Sequence, residues 1–163
     1  MKCKYLFIMP DIHKEAGAEV VIRDLISLLI SKEEKVSLIA YENHPDLEKL
    51  DLKFYKLRSH GKVALLRLFF LLIRIEEKIF ISTCLGPIDF VILLAARLKR
   101  KKVVHYIASD MDLEKQKGLL MKLGQFSILR SDVIFYQKEE QREILKEKWG
   151  LDKNVFFIGK III

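Results

Sequence analysis

A short polar loop between an apolar run and a helix-like segment contains the first residues that could do chemistry. Residues 9–29 read MPDIHKEAGAEVVIRDLISLL, and the loop carries His13 and the small residues Ala16, Gly17 and Ala18. A glycine at the start of a helix lets the backbone approach a phosphate or a sugar hydroxyl, and the positive helix end favours an anion. His13 is a candidate general base or hydrogen-bond donor, because histidine titrates near neutral pH. The same residues also fit a simple turn with a solvated histidine.

Several familiar site signatures are missing from the sequence. The first loop has neither the GxGxxG pattern of dinucleotide-binding proteins nor the GxxxxGK[ST] pattern of P-loop proteins, so no nicotinamide or flavin cofactor is expected. Cys3 and Cys84 lie beside apolar runs, without CxxC spacing or a nearby histidine. They predict reduced core thiols, and no metal site is expected.

Short apolar runs alternate with amphipathic segments along the whole chain. The predicted strands are 4–9, 35–40, 53–57, 78–83, 102–108, 132–136 and 154–158, and the predicted helices are 18–32, 63–76, 89–100, 112–129 and 138–149. Strands so continuously apolar need cover on both faces, which predicts an α/β fold with a doubly wound, mainly parallel sheet. With 163 residues and no linker-like stretch, residues 1–163 are predicted to form a single domain.

In such a sheet, ligands bind beyond the carboxyl ends of the strands, where the strand order reverses. The loops at 10–17, 84–87, 108–112 and 137–140 follow predicted strands and are therefore the expected positions of site residues.

The net charge of +7 and the pI of about 9.3 favour anionic partners. Nucleic acid is disfavoured, because aromatic residues are not interleaved with the charges.

In residues 57–78, Arg67, Arg74 and Lys78 share one stripe of an otherwise apolar helix, which fits either a packing helix or one lying on an anionic membrane surface. The basic run at 97–102 either complements a helix dipole or forms a patch for acidic lipid headgroups. No run reaches the roughly 20 apolar residues of a membrane span.

Three stretches, in order, resemble the N-terminal Rossmann-like domain of GT-B glycosyltransferases, particularly retaining family 4. They are residues 6–29, 80–110 and 131–163. The first is similar to the family's strand, Gly-Gly-Ala-Glu loop and first helix, with Ala16 in place of the first glycine. Two further positions depart from the family pattern: Ile107 stands where a histidine is frequent, and Lys138 stands where a serine or threonine often caps a helix, which predicts a weaker helix start.

The resemblance implies which residues line a sugar-transfer cleft. Ala16, Gly17 and Ala18 match the glycine-rich loop near the donor phosphates and the acceptor, and Ser109 matches the loop after the fifth strand. Asp110 in that second loop joins His13 as a candidate catalytic residue.

The resemblance also implies a function and partners. The expected role is the acceptor side of transfer from a nucleotide-sugar to a lipid-linked or polysaccharide acceptor, with retention of configuration. The expected partner is a C-terminal donor-binding half, which residues 1–163 do not include. The expected location is cytoplasmic, with peripheral attachment to the inner face of the membrane as an open alternative. The competing hypothesis is a non-catalytic membrane-docking or binding module that retains the fold.

Overall fold

A seven-stranded sheet forms the centre of the protein. The computed structural model describes residues 4–12, 17–57, 62–84, 86–108, 118–151 and 155–157. The strands are β1 (Lys4–Ile8), β2 (Lys35–Ala40), β3 (Lys53–Lys56), β4 (Ile79–Ser82), β5 (Lys102–Tyr106), β6 (Val133–Tyr136) and β7 (Val155–Phe157). The helices are α1 (Gly17–Ser31), α2 (Pro45–Glu48), α3 (Lys62–Arg74), α4 (Pro87–Leu98), α5 (Leu119–Leu129) and α6 (Glu139–Trp149).

All neighbouring strands are parallel, and their order is β3-β2-β1-β4-β5-β6-β7. From β1 the chain adds β2 and then β3 on one side of the sheet. It then crosses back to the other side of β1, where it adds β4, β5, β6 and β7 in turn. The reversal lies between β1 and β4, where Ile8 is in register with Ile39 on one side and Ser82 on the other. The predicted doubly wound parallel sheet is confirmed.

Both faces of the sheet are covered by helices, which explains why the strands are apolar on both sides. On one face, α1 and α2 place Ile22, Ile26 and Leu47 against Phe7 and Leu38. On the other face, residues of α3 and α4 pack against the remaining side chains of the same strands, and α5 packs beside α4. The carboxyl ends of β1 and β4 remain at the edge between these two layers.

Three local expectations change in the structure. Lys78 is not on the predicted helical stripe, because α3 ends at Arg74 and the Lys78 N–H donates to the Lys4 carbonyl. The basic run is divided, since Lys101 is buried and donates from Nζ to the Ile75 carbonyl instead of forming part of a surface patch. The short helix α2 was not predicted, and it begins where His44 Nδ1 accepts from the Asp46 N–H.

The predicted weak start of the last helix is compensated by Gln141. Its buried side-chain Oε1 accepts from the backbone N–H groups of Gln137, at 2.8 Å, and Lys138, at 3.3 Å. A capping acceptor three residues inside the helix satisfies backbone donors that a serine or threonine cap would leave to water. The helix therefore begins at Glu139 although the side chain of Lys138 offers no acceptor.

Candidate functional site

A cavity of about 410 Å³ opens at the carboxyl end of the sheet, beside the reversal in strand order. Its walls come from the segments that follow β1, β2, β4 and β5, together with the first turns of α1 and α4. The lining residues are Met9, Pro10, Asp11, Glu19, Tyr41, Thr83, Cys84, Ile88 and Ala108. This is where open α/β sheets bind ligands.

Backbone hydrogen bonds fix the first wall of the cavity. The Met9 N–H donates to the Ile39 carbonyl at 3.1 Å, and the Tyr41 N–H donates to the Pro10 carbonyl at 3.0 Å. These bonds extend the β1–β2 pairing past the strand ends, so the turn after β1 is held rigidly. The buried Arg23 of α1 reinforces it by donating from Nη1 to the Ile12 carbonyl at 3.2 Å.

The cavity is acidic. Among its described lining residues, Asp11 and Glu19 carry carboxylates and no lysine or arginine is present. Carboxylates repel a diphosphate but accept hydrogen bonds from hydroxyl groups. The side chains therefore suit the hydroxyl groups of a sugar better than the phosphates of a nucleotide.

The glycine predicted to contact ligand, Gly17, lies at the first position of α1, two residues before Glu19, which lines the cavity. Gly17 is exposed, and Ala18 behind it packs against the core under α1. A Cβ built on Gly17 would meet none of the described atoms within 4 Å, and its φ is outside the left-handed region. Neither packing nor backbone conformation in the described part of the chain therefore requires a glycine at this position.

The remaining predicted site residues cannot be placed relative to the cavity. His13, Ala16, Ser109 and Asp110 all lie outside the described residues. Ile107, which stands where the family often has histidine, is 2% exposed and packs in a separate core cluster. The structure adds lining residues that the sequence did not single out, above all Tyr41 and Thr83, and their only sequence signal is a position just after a strand.

A buried polar cluster supports the second wall of the cavity. The Ser82 hydroxyl donates to Asp89 Oδ1 at 2.7 Å and accepts from the Cys84 N–H at 3.1 Å. Burial raises the pKa of Asp89 well above its usual range, although the bond from Ser82 opposes this shift. Asp89 Oδ2 has no hydrogen-bond partner in the described structure. The cluster fixes the turn between β4 and α4, which carries Thr83 and Cys84 into the cavity.

His105 lies beside this cluster on β5. Its Nδ1 is 3.6 Å from Asp89 Oδ1, and both side chains are 2% exposed. Burial lowers the pKa of His105 to about 4, so the imidazole is neutral at physiological pH. The contact is therefore not an ion pair, and His105 adds a neutral polar group to the cluster under the cavity.

The thiol of Cys84 lines the cavity in surroundings that disfavour the reactive thiolate. Burial, with the nearby Asp89 carboxyl, raises the pKa of Cys84 well above its usual range, and Sγ is 3.6 Å from the Ile8 carbonyl. Because the thiolate is the reactive form, we expect Cys84 in the folded protein to react with iodoacetamide at pH 8 at least ~100-fold more slowly than in urea. Peptide mass spectrometry resolves this site from Cys3, and equal rates in the two conditions would contradict the assignment.

A larger cavity of about 850 Å³ lies at the opposite, amino end of the sheet. Its lining mixes basic and acidic side chains, among them Lys4 and Glu76, whose Nζ and Oε2 are 2.8 Å apart. The opposite charges of such a pair neutralise each other, which leaves less net charge to bind a ligand. In addition, this class of sheet binds ligands at the carboxyl ends of its strands and not at the amino ends. The smaller cavity at the strand reversal is therefore the better candidate.

Neither a metal-binding cluster nor a membrane-spanning helix occurs in the described part of the chain. This part contains no group of three or more His, Cys, Asp or Glu side chains placed to hold a metal ion. None of its helices is long and apolar enough to cross a membrane.

Comparison with solved structures assigns the fold. The chain superposes with a TM-score of 0.70 and 15% identity on a putative UDP-N-acetylglucosamine 2-epimerase from Listeria monocytogenes, covering 96% of this chain and 45% of that one. A glycosyltransferase from Rickettsia africae gives a TM-score of 0.70 at 14% identity, with 97% and 43% coverage. The fold is that of one Rossmann-like half of a GT-B protein.

A third GT-B structure extends the match to the whole chain. UGT89C1 of Arabidopsis thaliana, complexed with UDP-L-rhamnose, gives a TM-score of 0.72 at 14% identity and covers 100% of this chain and 50% of that one. The chain thus spans about half the length of the GT-B proteins that it matches. No protein-family model and no curated protein sequence matches it.

Proposed function

We propose that this chain is the acceptor side of a nucleotide-sugar-dependent glycosyltransferase. The observation that carries the proposal is the acidic lining of the cavity at the strand reversal. It is supported by Gly17, two residues before the lining residue Glu19, where the packing of the described residues does not require a glycine. The carboxylates of the cavity match sugar hydroxyls, so we place the acceptor here and the diphosphate of the donor on a second, C-terminal half. The neighbouring GT-B structures, which include complexes with UDP and with UDP-sugars, support a nucleotide-sugar donor.

The proposed reaction joins an acceptor hydroxyl to the anomeric carbon of the donor. The bond from that carbon to the diphosphate breaks, and the hydroxyl proton passes to the departing diphosphate. Asp11 and Glu19 line the cavity, and in this proposal their carboxylates accept a hydrogen bond from the acceptor and orient it. Following the family resemblance, we propose retention of configuration and a lipid-linked or polysaccharide acceptor.

Gly17 is the first residue to test. In an assay that combines this chain with its donor-binding half, Gly17→Val should lower kcat/KM at least ~10-fold, because a branched side chain keeps the acceptor away from the backbone. The fold should be unaffected, since the new side chain enters open space. Sugar transfer and the melting temperature are measured on the same preparation.

Gly17→Ala provides the matched control on folding. It should leave the protein as stable or up to about 1 kcal/mol more stable, because alanine favours helix. Undiminished transfer by Gly17→Val would overturn the assignment of Gly17. Absence of transfer with every nucleotide-sugar tested would overturn the glycosyltransferase proposal and favour a binding module without chemistry.

A second candidate is half of a UDP-sugar epimerase. The specific observation in its favour is that several of the matching structures are UDP-N-acetylglucosamine 2-epimerases. The two functions differ in their products: an epimerase changes the UDP-sugar without a second saccharide, whereas a transferase releases UDP only when an acceptor is present. NMR of the products from UDP-N-acetylglucosamine, with and without acceptor, separates the two.

A further inference from the structure

The solvent side of helices α3, α4 and α5 has an unusual composition. These helices lie side by side along one flank of the sheet, with α3 packed on α4 and α4 on α5. Their exposed described side chains are six apolar residues and four basic ones: Val63, Leu66, Phe70, Leu94, Leu98 and Phe126, with Arg67, Arg74, Arg97 and Lys122. We call these ten residues the flank surface. None of them is acidic or an uncharged polar residue.

The apolar exposure is large for individual side chains. Val63 is 59% exposed, Leu66 58% and Leu98 61%. Single exposed apolar residues need no explanation, but six on three adjacent helices indicate a surface that becomes covered.

The charge on this flank has one sign. The only acidic residue in the three helices is Asp89, and it is 3% exposed. Just beyond α5, Arg130 adds another exposed cation, positioned over the Phe126 ring at 5.6 Å. Among the flank cations, Arg97 forms an ion pair within the described part of the chain, with 3.0 Å between its Nη1 and Asp132 Oδ2.

Helix α6 shows what an ordinary solvated helix of the same protein looks like. Its exposed residues are four glutamates and three basic residues, with no apolar side chain: Glu139, Glu140, Arg142, Glu143, Lys146, Glu147 and Lys148. The combination of exposed apolar and basic residues without acidic ones therefore distinguishes the flank surface from α6, and the overall basic composition of the chain does not explain it.

We propose that the flank surface docks on an anionic lipid bilayer. Exposed apolar side chains enter the boundary between headgroups and acyl chains, while arginine and lysine bind the lipid phosphates. A groove of about 280 Å³ between α4 and α5, lined by Phe90, Leu93, Leu94, Arg97, Phe126 and Arg130, gives an acyl chain an apolar channel with cationic groups beside it.

Charge complementarity selects this occupant over a second copy of the chain. A symmetric dimer through the flank surface would bring the cations of both copies into one interface without an acidic residue of that surface to pair with them, which costs free energy. Docking through the flank also leaves the cavity at the carboxyl end of the sheet uncovered, so a membrane-bound acceptor could reach it. The proposal itself does not depend on sugar transfer, because vesicle binding is measured without it.

The test is flotation of the full chain with vesicles. We expect binding to phosphatidylcholine vesicles that contain phosphatidylglycerol, and at least ~10-fold weaker binding to phosphatidylcholine alone. The variant Leu66→Ser with Phe70→Ser should weaken binding at least ~10-fold, and Arg67→Glu should weaken it at least ~5-fold. Circular dichroism melting verifies that each variant is folded.

Two control variants lie away from the flank surface. Arg142→Glu on α6 repeats the charge reversal. Val20→Ser on α1 repeats the replacement of an exposed apolar side chain, since Val20 is 38% exposed. Both should change binding less than ~2-fold. No binding of the wild-type chain to anionic vesicles, or equal effects of the control variants, would overturn the proposal. A dimer that Leu66→Ser with Phe70→Ser converts to a monomer would identify a second copy as the occupant instead.

Discussion

Gly124→Ala is expected to destabilise the protein by about 2–4 kcal/mol, a large effect for the addition of one methyl group. A Cβ on Gly124 would lie 2.5 Å from the Gly86 nitrogen and 2.8 Å from its Cα. Gly86 cannot move aside easily, because it is buried, has a φ of 94° and immediately precedes α4 as its N-cap. The higher helix propensity of alanine offsets only about 1 kcal/mol of this loss in the free energy of unfolding. Urea denaturation of the variant and the wild type measures the difference.

Gly17→Ala is the matched control for this prediction, since it makes the same substitution in open space. If both variants unfold at the same urea concentration, the close packing of α5 on the start of α4 is wrong. Hydrogen exchange gives a second measurement. The backbone N–H of Cys84, which donates to Ser82, should exchange faster in Gly124→Ala because the turn that carries it is displaced.

Acidification from pH 6.5 to pH 4 is expected to destabilise the protein through His105 by up to about 3 kcal/mol. The pKa of His105 is lowered by burial from 6.5 to about 4. Between these values the unfolded chain binds a proton that the folded protein excludes, so stability falls as the pH falls. The prediction is that His105→Gln removes the contribution of His105, so that stability falls less on acidification, whatever the effect of the substitution on stability at pH 7. Urea denaturation at several pH values measures it.

Asp89 acts in the opposite direction over an overlapping range. Because burial raises its pKa, the folded protein retains a proton that the unfolded chain releases above its ordinary pKa of 3.8, so this group favours the fold at low pH. Asp89→Asn should therefore make the loss of stability on acidification steeper, whereas His105→Gln should make it shallower. Identical pH profiles for the wild type and His105→Gln would contradict the buried neutral imidazole.

The fold was predictable because local patterns and burial are closely linked in a parallel sheet. Strands that must be covered on both faces have to be apolar at nearly every position, so β1, β2 and β5 were located from composition alone. The short helix Pro45–Glu48 was missed, since four residues give no helical period and its start depends on one histidine acceptor.

For most candidate site residues, the sequence predicted only that they would lie in loops that follow strands. The sequence singled out Gly17 from its neighbours and from the position of a helix start. It did not single out Tyr41 or Thr83, because each belongs to a different strand end and nothing in its own neighbourhood marks it. The order of the strands decides which loop ends become neighbours, and that order is not a local property.

The sequence by itself determined the fold class, the approximate elements and the excess of basic residues. Only the tertiary structure decided which of those residues act together. In the folded protein Lys101 is buried and is therefore not part of a basic surface patch, and α3 ends before Lys78. The exposed apolar and cationic side chains of three helices lie on one flank. The physical reason is that periodicity reports one helix at a time, whereas a surface and a cavity depend on how separate elements pack.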